Sequence, residues 1–113
     1  MEIRQAERAE IEKFNLYHED NIGTEFIVVE NDGAIVGFAQ FDSGYDDCTI
    51  YFMESEVPGA GRAMMEYFQG EYVEIFANEA ITTAQGFYAH FGFEQTGENL
   101  PFDGRCNMTW WAE

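Results

Sequence analysis

Asn31-Asp32-Gly33, set between two runs of β-branched and aromatic residues, constrains this chain more than any other feature. Asn, Asp and Gly tolerate the left-handed backbone of a tight turn, and both flanks are strand formers: Phe26-Ile27-Val28-Val29 before the turn, Ala34-Ile35-Val36-Gly37-Phe38-Ala39-Gln40-Phe41 after it. A β-hairpin is predicted here, and with it an antiparallel sheet. A polar turn, Asp42 to Asp47, leads to Cys48-Thr49-Ile50-Tyr51-Phe52-Met53, which extends the hairpin into a meander.

The period then changes. Val57-Pro58-Gly59-Ala60-Gly61 reads as a turn, and Arg62 to Gln69 carries Ala63, Met64, Tyr67 and Phe68 in a helical pattern ended by Gly70. Strand, glycine turn, helix is the order that cradles phosphates, because the turn lets backbone N–H groups converge at a helix N-terminus. Tyr72 to Ala77 reads as a strand. Ala84, Phe87, Tyr88 and Phe91 repeat at i, i+3, i+4, i+7 on a helix stopped by Gly92. Phe93 to Thr96 and Cys106 to Trp111 make a closing hairpin with a long connection, and Trp110 and Trp111 should point to opposite faces. At the other end, Met1 to Glu7 is an opening strand, and Arg8 to Asp20 places Ile11, Phe14 and His18 at helical spacing. The expected order is β α β β β α β α β β, an α/β (α+β) fold. Without repeats or linkers, and with both prolines at element boundaries, residues 1–113 read as a single domain.

Charge limits the partners. The 22 acidic residues outnumber the 5 basic ones to give a net charge of −17, with Lys13 the single lysine. The acids are spread along the chain rather than gathered in a tail, so they decorate a folded surface. Such a field attracts cations and disfavours nucleic acid, whose binding needs Lys and Arg against phosphates. Solubility or adaptation to high salt would account for it equally. No apolar stretch nears the roughly 18 residues of a membrane span, and Met1-Glu2-Ile3-Arg4 opens a charged segment, so a cytoplasmic location away from membranes is expected. Cys48 and Cys106 are far apart, without a CxxC partner, and indicate neither a metal site nor a disulfide framework.

The element order and two motifs resemble the GNAT N-acetyltransferase superfamily over essentially the full chain. Gly59-Ala60-Gly61, followed by Arg62-Ala63-Met64-Met65, is similar to that family's pyrophosphate-binding turn, although the position usually held by Arg or Gln is Glu56. Ala84-x-x-x-Tyr88-x-x-x-Gly92-Phe93 resembles the helix and strand after the cofactor cleft, with Ile81 where an Asn is common. The resemblance implies a mixed, mainly antiparallel central sheet flanked by about three helices. The second of the two usual N-terminal helices finds no room between Asp20 and Phe26.

It further implies acetyl-CoA as co-substrate, held by Met53, Val57, Gly59, Ala60, Gly61, Arg62 and Ala63. In the implied chemistry, strands diverge after Met53 and Phe76, an amine attacks the thioester, backbone N–H near Met53 meets the oxyanion, and Tyr88 protonates the departing thiolate. Glu54, ending its strand, is the candidate base, as a solvated surface acid is the plain alternative. A packed helix aromatic is the alternative for Tyr88, and a first-turn Arg paired with nearby acids for Arg62. His18 and His90 are read as structural. The leading expectation is an N-acetyltransferase acting on a cationic acceptor, a basic protein or polyamine-like molecule. The alternatives are an inactive acidic protein that occupies a partner's basic surface, for which Glu56 speaks, and a salt-adapted structural domain. An outward Trp in the last strand would suit a homodimer contact.

Overall fold

The computed structural model describes residues 1–13 and 25–113. The elements run β1 (Glu2–Gln5), α1 (Arg8–Lys13), β2 (Glu25–Asn31), β3 (Ala34–Ser43), β4 (Asp47–Ser55), α2 (Ala60–Glu71), β5 (Glu74–Ala80), α3 (Thr82–His90), β6 (Glu94–Gln95) and β7 (Cys106–Trp111). This is the expected order. They build one seven-stranded sheet in the order β1-β2-β3-β4-β5-β7-β6, in which β4 and β5 are parallel and the other neighbours antiparallel. Phe14, His18 and residues 21–24, where the sequence leaves no room for a second N-terminal helix, lie outside the described residues.

The hairpin forms as the sequence predicts. Asn31 pairs with Ala34, leaving Asp32 and Gly33 as a two-residue loop with φ of 52° and 82°. Positive φ at both positions gives the turn a twist that matches the flanking strands. A Cβ on Gly33 would meet nothing within 4 Å, so Gly33→Ala tests backbone strain alone. It should lower stability by about 1–2 kcal/mol, read as an earlier urea midpoint with an unchanged slope.

Alternation sorts the strands into two faces. Ile27, Val29, Ala39, Phe41, Cys48, Ile50, Ile75, Ala77 and Met108 join Met64, Met65 and Phe68 of α2 and Tyr88 of α3 in the main core. Each large side chain buried this way contributes about 1.5–3 kcal/mol. Gly37 lets α2 lie close to the sheet, since a Cβ there would sit 3.2 Å from Met64 Cε and 3.3 Å from Ala60 Cβ. On the opposite face Phe26, Val28 and Phe38 form a smaller cluster, covered by Ala6, Ile11, Ile35 and Phe52. Arg4 ties this side together, donating to both carboxylate oxygens of Glu10 at 2.8 Å and to Glu30 at 3.3 Å. Glu10, then Glu30, holds the guanidinium above its ordinary pKa.

Several boundaries differ from expectation: β4 runs on to Ser55, β5 spans Glu74–Ala80 rather than Tyr72 to Ala77, and α2 shifts at both ends. Helix α2 begins at Ala60, behind Gly59 at φ 91°, and runs through Gly70 to Glu71 before the extended Tyr72 ends it. Gly70 is no stop because the chain keeps helical backbone there and caps through the Tyr72 N–H to Phe68 O bond, 3.0 Å. Trp110 and Trp111 do part to opposite faces. Trp110 packs on the main core, while Trp111 is 48% exposed, its indole N–H donating to Glu74 at 2.6 Å. Among the described residues no helix is long and apolar enough to cross a membrane.

Candidate active site

Strands β4 and β5 are neighbours only as far as Ile50 and Ala77. Beyond that pair β4 runs on to Ser55 and β5 to Ala80 without pairing, so the sheet splits in its middle. The split was expected after Met53 and Phe76. It opens three residues earlier on β4 and one later on β5, because each strand carries a bulge there. Phe41 pairs with Ile50 and Gln40 with Phe52, which leaves Tyr51 as an extra residue in β4. Ala77 pairs with Met108 and Ala80 with Cys106, which leaves an extra residue in β5, where Glu79 takes φ 48°. Bulges bend and twist a strand away from its neighbour. Past Ile50, β4 keeps only β3 as partner, so alternate N–H and C=O groups between Tyr51 and Ser55 face the gap.

A groove leads from this gap to the start of α2. Its inner part, about 130 Å³, is lined by Met53, Ser55, Gly61, Ala84, Phe87 and Tyr88. Its outer part, about 330 Å³, shares Ser55, Gly61 and Phe87 and adds Val57, Pro58, Gly59, Arg62, His90 and Phe91. Among the described residues no carboxylate lines either part, in a chain carrying 22 acidic residues. Helix α2 also has no acidic residue in its first turn and no side-chain cap. Ala60 N–H bonds Val57 O at 3.3 Å and Ala63 N–H bonds Gly59 O at 2.9 Å, whereas the N–H groups of Gly61 and Arg62 meet no backbone acceptor among the described residues. Two amides and the positive helix end, worth about half a charge, therefore point at the outer groove.

The residue types fit a nucleotide pyrophosphate with a thin arm behind it. A Cβ on Gly61 would lie 3.1 Å from the Phe87 ring and 3.8 Å from Ser55 Cβ, so the absent side chain is what keeps the groove open. Arg62, 61% exposed, pairs with Glu66 at 3.7 Å and lies 5.7 Å from the centre of the Phe91 ring, free to swing toward an anion. Of the expected cofactor residues, Met53, Val57, Gly59, Gly61 and Arg62 line the groove. Ala60 is buried against Gly37, and Ala63 lines neither part. Glu56 stays outside as well, exposed, with its backbone N–H bonded to Val36 O at 2.8 Å.

Tyr88 sits at the inner end, 6% exposed. Gly92, at φ 93°, closes α3 with Phe93 N–H on Tyr88 O at 3.1 Å and Gly92 N–H on Ala89 O at 3.0 Å. These are the two bonds of a Schellman motif, and its customary apolar contact is here the Tyr88 and Phe93 rings, 5.1 Å apart. The Tyr-x-x-x-Gly-Phe spacing thus fixes the tyrosine. Its hydroxyl makes no hydrogen bond among the described residues, and burial pushes the phenol up to about 12.

Glu54 is exposed and pairs with Phe38, which puts it on the α1 side of β4, and it lines no part of the groove. Glu79 is the carboxylate that borders the split. It lines a second cavity of about 350 Å³ on the α1 side, with Gln40, Tyr51, Phe52, Asn78, Ile81 and Arg105. No sequence signal marks Glu79, since its place depends on a bulge. His90, read as structural, lines the outer groove beside Phe91, ring centres 5.3 Å apart. Cys48 and Cys106 are free and buried, and burial, then Asp47 and Glu25, pushes the Cys48 thiol up to about 12. Neither cysteine lines the groove or the cavity at the split.

The same architecture recurs in solved structures. The ribosomal-protein-S18-alanine N-acetyltransferase of Escherichia coli superposes with a TM-score of 0.72 at 12% identity, covering 99% of this chain and 94% of that one. Ard1 of Thermoplasma volcanium gives 0.70 at 18%, covering 99% and 97%. A GNAT family acetyltransferase of Elizabethkingia anophelis with acetyl-CoA bound gives 0.65 at 12%, covering 97% of each. At these identities the likeness is one of fold. No curated protein matches the chain significantly. The family model of the acetyltransferase (GNAT) domain matches residues 3–109, nearly the whole length, and the chain belongs to the GNAT acetyltransferase family.

Proposed function

We propose that this protein is an acetyl-CoA-dependent N-acetyltransferase, formed as one domain, whose acceptor is a cationic amine such as a basic protein or polyamine-like molecule. The observation that carries the reading is the acid-free groove ending on the open amides of Gly61 and Arg62, in a chain of net charge −17. Acetyl-CoA supplies an activated acyl group as a thioester. The chain's part is to hold the pyrophosphate on Gly59, Gly61 and Arg62 and to thread the arm past Met53, Ser55 and Phe87. Amides of β4 facing the gap stabilise negative charge on the carbonyl oxygen. Tyr88, protonated at neutral pH, donates its proton to the thiolate, and Glu79, which lines the cavity at the split as Glu54 does not, is the carboxylate placed to take one from the amine.

The field of the whole molecule draws a cation toward the split from the α1 side, where Glu79 adds to it. The alternative of an inactive acidic binding protein leaned on Glu56, but that carboxylate is not among the groove's walls, so its repulsion has little to act on. Isothermal titration with acetyl-CoA tests the reading. Micromolar binding that weakens roughly tenfold in Arg62→Ala is expected, a loss of about 1.4 kcal/mol. No heat at millimolar acetyl-CoA would overturn it.

A further inference from the structure

Gln40 is a polar residue in a position that packing would give to an apolar one. Its neighbours Ala39 and Phe41 enter the main core, and its own side chain faces the α1 side with Phe38 and Phe52. It is 1% exposed, and its Nε2 has no hydrogen-bond partner among the described residues. Leaving a buried donor unmade is costly, so native proteins rarely do it without another use for the group. Gln40 is one of the residues lining the cavity of about 350 Å³ at the sheet split.

The rest of that cavity supplies a second, separate sign. Glu79 is held with left-handed backbone at φ 48°, its N–H anchored on Asn107 Oδ1 at 2.9 Å. Such backbone in a residue other than glycine is unfavourable and persists where surrounding bonds enforce it. Arg105, on the same wall, is paired through its Nε with Asp103 at 2.9 Å, both side chains partly exposed. Beside Tyr51, Asn78 and Arg105, the cavity has in Gln40 a buried N–H donor without a partner and in Glu79 its one carboxylate among the described residues.

We propose that this cavity binds an amine carrying a carbonyl or carboxylate oxygen close to its nitrogen, the oxygen accepting from Gln40 Nε2 and the nitrogen lying toward Glu79. That such a guest is the acetyl acceptor rests on the acetyltransferase reading above. The proposal narrows that acceptor: an amine bearing a carbonyl, as at the start of a polypeptide, satisfies Gln40, whereas a polyamine leaves it bare.

The test follows the Gln40 side-chain amide by nitrogen-15 NMR, assigned by its loss in Gln40→Met. Alaninamide, alanine and isopropylamine are titrated in turn, the last replacing the carbonyl by a methyl group. Saturable shifts with alaninamide alone identify a neutral carbonyl, and shifts with alanine alone a carboxylate. No shift with either, or an equal shift with isopropylamine, overturns the proposal. In Gln40→Met, Tm should rise by about 4 °C or more as the unmade bond disappears, and alaninamide binding should fall at least tenfold. A lower Tm, or unchanged binding, would mean the amide serves only the fold. Acetyl-CoA titration of the same sample separates the two readings, because the Gln40 response and cofactor binding stand or fall independently.

Discussion

Acetyl-CoA titrated into Gly61→Glu should give no measurable heat, an affinity loss of roughly 100-fold or more, equivalent to about 3 kcal/mol. The new Cβ would sit 3.1 Å from the Phe87 ring, so the side chain must occupy the groove where its inner and outer parts join. It would also bring a carboxylate against phosphate in a groove that no acid lines among the described residues. Gly70→Glu is the matched control. It adds the same charge to the same helix, where a Cβ meets nothing within 4 Å, and should bind acetyl-CoA as the parent does. Normal binding by a Gly61→Glu protein with unchanged Tm would mean that the cofactor sits elsewhere.

Tyr88→Phe should lower kcat by about 10²–10⁴-fold, while the Kd for acetyl-CoA stays within twofold. The hydroxyl has no hydrogen bond to lose among the described residues, so stability at neutral pH should barely change. The pH dependence carries a second check. The phenol's folded pKa of about 12 lies above its ordinary value of 10.0 because of burial. The unfolded chain therefore releases this proton first as pH rises. Stability from the neutral buried phenol is complete below pH 10.0 and is lost between there and about 12. Tyr88→Phe should lose less stability than the parent across that window. The activity of the parent should show no alkaline fall from Tyr88 within the usual assay range. A kcat unaffected by the substitution would leave Tyr88 as a packing residue and remove it from the chemistry.

Local chemistry explains what could be read from the sequence. The Asp32-Gly33 turn, the glycine turn before α2 and the Gly92-Phe93 stop each act within a few residues, so their signatures are contiguous and the element order followed. Gly70 misled because a glycine ends a helix only where the backbone turns left-handed, and here Tyr72 does the ending. The site was harder. The split depends on bulges at Tyr51 and beside Glu79, defined by pairings to β3 and β7 that no local pattern reveals. Glu54 and Glu79 look alike in the sequence; a strand's pleat turns one to the α1 face and a bulge brings the other to the gap. Gln40 did leave a trace, as the single amide in the otherwise apolar run from Ala34 to Phe41.

The strand order has a consequence for how the molecule comes into being. β7 is the last strand in the sequence yet lies inside the sheet, between β5 and β6. During synthesis the meander β1 to β4 and its covering helix α2 can close while later residues are still being added. β5, by contrast, lacks one of its two neighbours until Cys106–Trp111 emerges, and β6 lacks its only one. Asn107, which anchors Glu79, and Arg105 arrive with that strand. The side of the gap that carries Glu79 and Arg105 is therefore completed only once β7 emerges, later than every residue that lines the groove, and a ribosome-bound chain still short of β7 would hold a nearly finished groove for acetyl-CoA before it could accept anything to acetylate.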